Sequence, residues 1–175
     1  MDLATGRITD AELLDLAKAL AWTRPLARYP GWKFGSDWDR TELAFQLRKL
    51  VWLECQKRAI GAPVLLDWLH GLRVFVHLGN DLSLPLFVGG CIDPNELTFL
   101  AKVLVPGAVF VDAGANEGLY TLLASRLVGD HGRVVAVEPS SREFQRLQRA
   151  ELAQSEHRRE RGEREGEPVH DRALA

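Results

Sequence analysis

With 175 residues, 46% hydrophobic and 26% charged content, the chain has ordinary globular composition, which excludes collagen-like, disulfide-scaffold and wholly disordered classes. A formal net charge of -2 and a pI near 6.2 supply no global attraction to nucleic-acid phosphates or anionic membranes, so neither is expected as a partner. Cys55 and Cys91 are far apart and no CxxC occurs, so no metal site or redox pair is expected and both thiols read as core residues.

The N-terminal MDLATGRITD lacks the basic start and apolar run of a secretory signal, and no window reaches the about 18 apolar residues needed to span a bilayer. A cytoplasmic setting is expected. Thr9 and Glu12 have capping-box spacing, and Leu13, Leu16, Ala17 and Leu20 recur on one helical face, which predicts a helix from about Asp10 to Trp22. Pro25, Pro30, Gly31 and Gly35 punctuate the next stretch, where Tyr29, Trp32, Phe34 and Trp38 read as anchors of an irregular segment.

Asp39 and Glu42 repeat the start pattern for a long helix with Leu43, Leu47, Leu50 and Val51 as its stripe, stopped by Gly61 and Pro63. Arg73–His77 and Leu84–Val88 are predicted as two strands of a hairpin turning through Gly79, Asn80 and Asp81. Asp93, Pro94 and Glu96 open another helix.

Ala108–Asp112 is a continuous apolar strand of the kind covered on both faces. A helix bearing Leu119, Leu122, Leu123 and Leu127 follows, closed by Gly129. Val134–Val137 is a second buried strand, and Ser140 with Glu143 begins a helix whose inner face carries Phe144 and Leu147. Strand, helix, strand, helix with short connections implies a parallel crossover. From about Ser155 charges of both signs alternate and apolar residues almost vanish, so frayed helix or disorder is expected, with His157 and His170 solvated. Three regions result: a helical region 1–70, an α/β region 71–152 and a charged tail 153–175.

The chemistry gathers in VDAGANEG (Val111–Gly118) and RVVAVEPS (Arg133–Ser140). A strand ending in Asp112, a glycine turn into a helix, and a second strand ending in Glu138 form the opening of an α/β nucleotide-cofactor site. Backbone N–H groups at the turn and helix start are expected to face a ligand. Gly114 lets the main chain approach it, Gly118 permits close packing of helix on strand, and Glu138 is placed to accept two ribose hydroxyls.

Asn116 stands where a dinucleotide motif has its middle glycine, and Asp112 and Glu117 add negative charge that repels a pyrophosphate but suits a ligand with sulfonium and ammonium groups. S-adenosylmethionine is therefore favoured over NAD. An NAD half-site of an oxidoreductase, and a non-enzymatic interaction module with a purely structural turn, are the competing readings.

The run Leu86–Arg149 resembles the N-terminal part of an FkbM-type S-adenosylmethionine-dependent methyltransferase, in its hairpin, its Asp-Pro-Asn-Glu helix start, its glycine turn and its Val-Glu-Pro-Ser strand end. The resemblance implies a Rossmann-like class I methyltransferase fold, here incomplete and preceded by helices and a β-hairpin, and methyl transfer to oxygen on a sugar or small natural product. It implies that Asp112, Gly114, Asn116 and Gly118 form the cofactor turn and that Glu138 holds the ribose. Tyr120 and Thr121, in the first turn of the helix, would flank the methionine portion. Nothing beyond Arg149 matches, so no residue is assigned to catalysis. A sheet of two parallel strands is expected to leave a face and an edge uncovered, through which chains can self-associate; the chain reads as a truncated or frame-shifted copy of a longer enzyme, not expected to turn over substrate, with a genuine short protein that pairs with another chain as the alternative.

Overall fold

The computed structural model describes residues 7–21, 43–79 and 83–160. Among these the chain is mixed α/β, with six helices and two small sheets. The helices are α1 (Asp10–Ala21), α2 (Leu43–Lys57), α3 (Ser83–Gly89), α4 (Pro94–Val103), α5 (Leu119–Val128) and α6 (Ser141–Glu160); the strands are β1 (Pro63–Asp67), β2 (Arg73–His77), β3 (Val109–Ala113) and β4 (Arg133–Val137). No helix among the described residues is long and apolar enough to cross a membrane. The aromatic stretch Tyr29–Trp38, the start pattern at Asp39 and Glu42, the turn residues Asn80 and Asp81, and the tail from 161 onward lie outside the described residues.

The chain divides into two compact units. The first holds α1, α2, β1, all but the first residue of β2, and α3. Its capping box forms as the sequence predicts: the Glu12 carboxylate accepts the Thr9 N–H at 2.9 Å and the Thr9 hydroxyl accepts the Glu12 N–H at 3.2 Å. Leu13, Ala17 and Leu20 are buried, whereas Leu16 lies toward solvent. On α2 the buried face is Arg48, Val51, Trp52 and Cys55, and the expected stripe residues Leu43 and Leu50 are exposed. The Arg48 guanidinium is buried because its Nε donates to the Leu20 carbonyl at 3.2 Å. Burial pushes the Cys55 thiol above its ordinary range, in keeping with an inert core residue.

The predicted hairpin is corrected. Arg73–His77 is a strand, but Leu84–Val88 lies inside helix α3, and the partner of β2 is β1, which followed the Gly61–Pro63 stop. Only residues 68–72 separate the paired strands, too short for a parallel crossover. Two physical facts explain the error. Leu86, Phe87 and Val88 are all buried, so the run has no periodicity to separate helix from strand, and Pro85 falls in the first helical turn, where its missing donor costs nothing. The Ser83 hydroxyl accepts the His77 N–H at 2.9 Å, tying the end of β2 to the start of α3.

The second unit holds the segment Leu69–Arg73 and the chain from Asn95 onward. Strands β3 and β4 pair in parallel with Val109 opposite Arg133 and Ala113 opposite Val137, joined through α5, as the alternation predicted. Coverage of both sheet faces is not observed. Asp112 is buried and Phe110 partly so, but Val109, Val111 and Val137 on the opposite face are 67%, 61% and 54% exposed.

Helix α6 buries Leu147, Ala150 and Gln154 rather than Phe144, which is half exposed. The helix continues to Glu160, well into the region assigned to the tail, because the Gln154 side chain accepts the Arg73 N–H at 3.0 Å and donates to the Arg73 carbonyl. His157 is partly buried there, its Nδ1 3.8 Å from a Glu160 carboxylate oxygen, so the expectation of a solvated imidazole does not hold.

Candidate functional site

The site begins where β3 runs out. Asp112 ends the buried row of the strand, and the chain must then reverse within a few residues to start α5 antiparallel to it. Three residues with positive φ make that reversal: Gly114 at +84°, Asn116 at +51° and Gly118 at +90°. Glycine meets this demand twice without strain, and Asn is among the side chains that tolerate it best.

The two glycines serve different needs. Among the described residues a Cβ on Gly114 would meet nothing within 4 Å, so the turn is open to them on that side and only backbone conformation calls for glycine. A Cβ on Gly118 would lie 3.0 Å from Cγ of Leu147, so the close approach it allows is to helix α6, not to the strand as the sequence suggested.

Most N–H groups of the turn are spent internally, contrary to the expectation that they face a ligand. Those of Gly114 and Ala115 donate to the Val137 carbonyl at 2.8 and 3.1 Å, and that of Gly118 donates to Ala115 at 2.8 Å. The Asn116 N–H donates to Oε2 of Glu138 at 2.8 Å, while Oε1 of Glu138 accepts the Ser140 N–H at 2.7 Å. The turn and the carboxylate at the end of β4 are therefore brought together, and the carboxylate stitches the turn to the start of α6. Each of its oxygens retains further acceptor capacity, since a carboxylate offers about four lone-pair sites.

Glu117 is not the free negative charge that the sequence suggested. Its carboxylate accepts from Nη1 of Arg146 at 2.5 Å, and the same guanidinium nitrogen donates to Glu143 at 3.1 Å. Arg146 and Leu147 thus hold α6 against the turn through adjacent residues, one polar and one apolar. Sequence reasoning missed Arg146; its spacing of three from Glu143 was legible, its partner in the turn was not.

Asp112 and Thr121 meet directly. The Thr121 hydroxyl donates to Oδ2 of Asp112 at 2.5 Å, and both residues are buried, Thr121 at 3% exposure and Asp112 at 9%. Thr121 therefore turns inward onto Asp112 and is not at a ligand surface, while Tyr120 beside it is partly exposed. Asn116 Oδ1 is sealed and has no hydrogen-bond partner among the described residues. Among the described residues no group of three or more His, Cys, Asp or Glu side chains could hold a metal.

Comparison of the chain with models of known protein families, with curated proteins and with solved structures finds no match. The resemblance carried by the turn and strand-end motifs rests on those residues alone.

Proposed function

We propose that the β3–α5–β4 unit binds S-adenosylmethionine at the glycine turn, as the cofactor-binding part of an FkbM-type methyltransferase acting on oxygen of a sugar or other small-molecule acceptor. One observation supports this best: the Glu138 carboxylate and the Asn116 N–H share one rim beside an open Gly114, so an acid that can take ribose hydroxyls stands next to a backbone with room for a ligand. Electrostatics adds to it. Asp112 and Glu138 remain as carboxylates near the turn once Arg146 has taken up Glu117, a balance that disfavours a pyrophosphate and accommodates a cationic ligand.

When bound, the cofactor would supply a methyl group activated by its positive sulfur. This chain's part would be to hold the adenosyl portion through Glu138 and the turn. Calorimetric titration with S-adenosylhomocysteine tests the reading: binding by the unaltered chain, weakened about tenfold or more by Glu138→Gln, is expected from loss of a charge-assisted contact. An unaltered chain that gives no heat with this probe but is retained on immobilised NAD would overturn it in favour of an oxidoreductase half-site.

A further inference from the structure

Helix α2 is oriented against its own composition. Arg48, Val51, Trp52 and Cys55 face the core, whereas Leu43, Leu50 and Leu53 are 71%, 62% and 45% exposed. Burial alone would not choose this orientation, because a guanidinium lies inside while three leucines lie outside. The exposed residues Leu43, Gln46, Leu50, Leu53 and Lys57 follow one another at alternating spacings of three and four. That is the a/d repeat of a helix-pairing seam, and it lies on the side of α2 opposite the buried residues.

In this repeat Lys49 and Glu54 take the flanking g and e positions. Two parallel copies of α2 would set Lys49 of each beside Glu54 of the other, a pairing of opposite charges. Antiparallel copies would set lysine beside lysine and glutamate beside glutamate. Lys49 is exposed, and the Glu54 carboxylate, which accepts from Nε of Arg58 at 2.8 Å through Oε1, retains acceptor capacity on a partly exposed side chain.

We infer that two copies of this chain associate through α2, in parallel and about a two-fold axis, along the seam of Leu43, Leu50 and Leu53. The helix is already folded onto its own unit, so pairing orders no new backbone. Its 15 residues give about 22 Å of seam, or two heptads, and Gln46 and Lys57 interrupt the apolar row. The dimer therefore belongs to the small, reversible class rather than the obligate one. The surface lies in the first unit, so the inference does not rest on the cofactor reading proposed above.

Sedimentation velocity of the full chain across the micromolar range tests it. A concentration-dependent monomer–dimer equilibrium is expected, weakened about thirtyfold or more by Leu50→Glu, which sets two carboxylates face to face in the seam. The thermal midpoint should hardly move, because Leu50 lies outside the core. Orientation is read from Leu43→Cys under oxidising glutathione: parallel helices bring the two thiols within disulfide reach, while antiparallel helices hold them roughly 20 Å apart. A covalent dimer that disappears when Leu50→Glu is added is the expected result; Cys55 and Cys91 are buried and do not compete.

A chain that stays monomeric throughout overturns the inference. So does a dimer indifferent to Leu50→Glu, whose interface must lie elsewhere, such as the exposed valines of β3 and β4. A dimer that Leu50→Glu disrupts but Leu43→Cys cannot lock also overturns it, since its helices do not run in parallel. Should Leu50→Glu not fold, Leu53→Gln decides in its place, with a loss of about tenfold expected.

Discussion

The β3–α5–β4 crossover has two ends, and glycine is used oppositely at them. At the outgoing end, Gly114 has open space where its Cβ would be; at the returning end, a Cβ on Gly132 would lie 2.4 Å from Cβ of Val128 and 2.8 Å from the Ala108 carbonyl oxygen. Gly132 has no room to give, because one neighbour is a β-branched side chain and the other is backbone. The comparison teaches that the returning end is packed for the fold, whereas the outgoing end satisfies its backbone internally and keeps space beside it.

Four substitutions can break or sharpen this contrast. The largest loss is expected for Gly132→Ala, about 3 kcal/mol or more in denaturant unfolding, because the added methyl must displace Val128 or the main chain. Gly118→Ala should cost about 2 kcal/mol, combining a positive φ with a contact that Leu147 can relieve by a small rotation. Arg146→Gln should cost about 1–2 kcal/mol, since it removes the guanidinium that two mostly buried carboxylates share, Glu117 and Glu143, of which Glu143 keeps its pairing with Arg142; a midpoint unchanged in urea would show that Leu147 alone holds α6 to the turn. The smallest loss, about 1 kcal/mol, is expected for Gly114→Ala, from backbone strain alone. If Gly114→Ala were instead as damaging as Gly132→Ala, the two ends would not differ in kind.

What could be read from the sequence tracks how local the physics is. The strands at Val109–Ala113 and Arg133–Val137, the helix between them and the acid at 138 were legible because apolar runs, turn glycines and strand-end carboxylates are near-neighbour patterns. The capping box at Thr9 and the helix start at Ser140 were legible for the same reason: cap and first turn lie within four residues. The Glu117–Arg146 pair spans 29 positions and joins a turn to a different helix, so composition alone left Glu117 looking like an unbalanced charge. Helix α3 was hidden by burial on several sides, which erases periodicity. The extension of α6 was hidden because two side chains, Gln154 and Glu160, tie to Arg73 a stretch whose composition otherwise favours water.

Within the candidate site, the residues named from sequence do gather, but with altered roles. Asp112 and Thr121 bond to one another, Asn116 and Glu138 share a hydrogen bond, and Gly118 serves helix packing. Spacing identifies which residues assemble; it does not say which atom of each is already occupied, because that depends on side-chain rotation and on partners from other elements.

The row formed by Val109, Val111 and Val137 makes this sheet responsive to its medium. Kosmotropic anions such as sulfate penalise wetted hydrocarbon and would drive these valines toward any available hydrophobic cover, while urea would solvate them in place. Buffer composition thereby becomes a structural variable, and salting-out thresholds become a direct gauge of how much of that row remains wet.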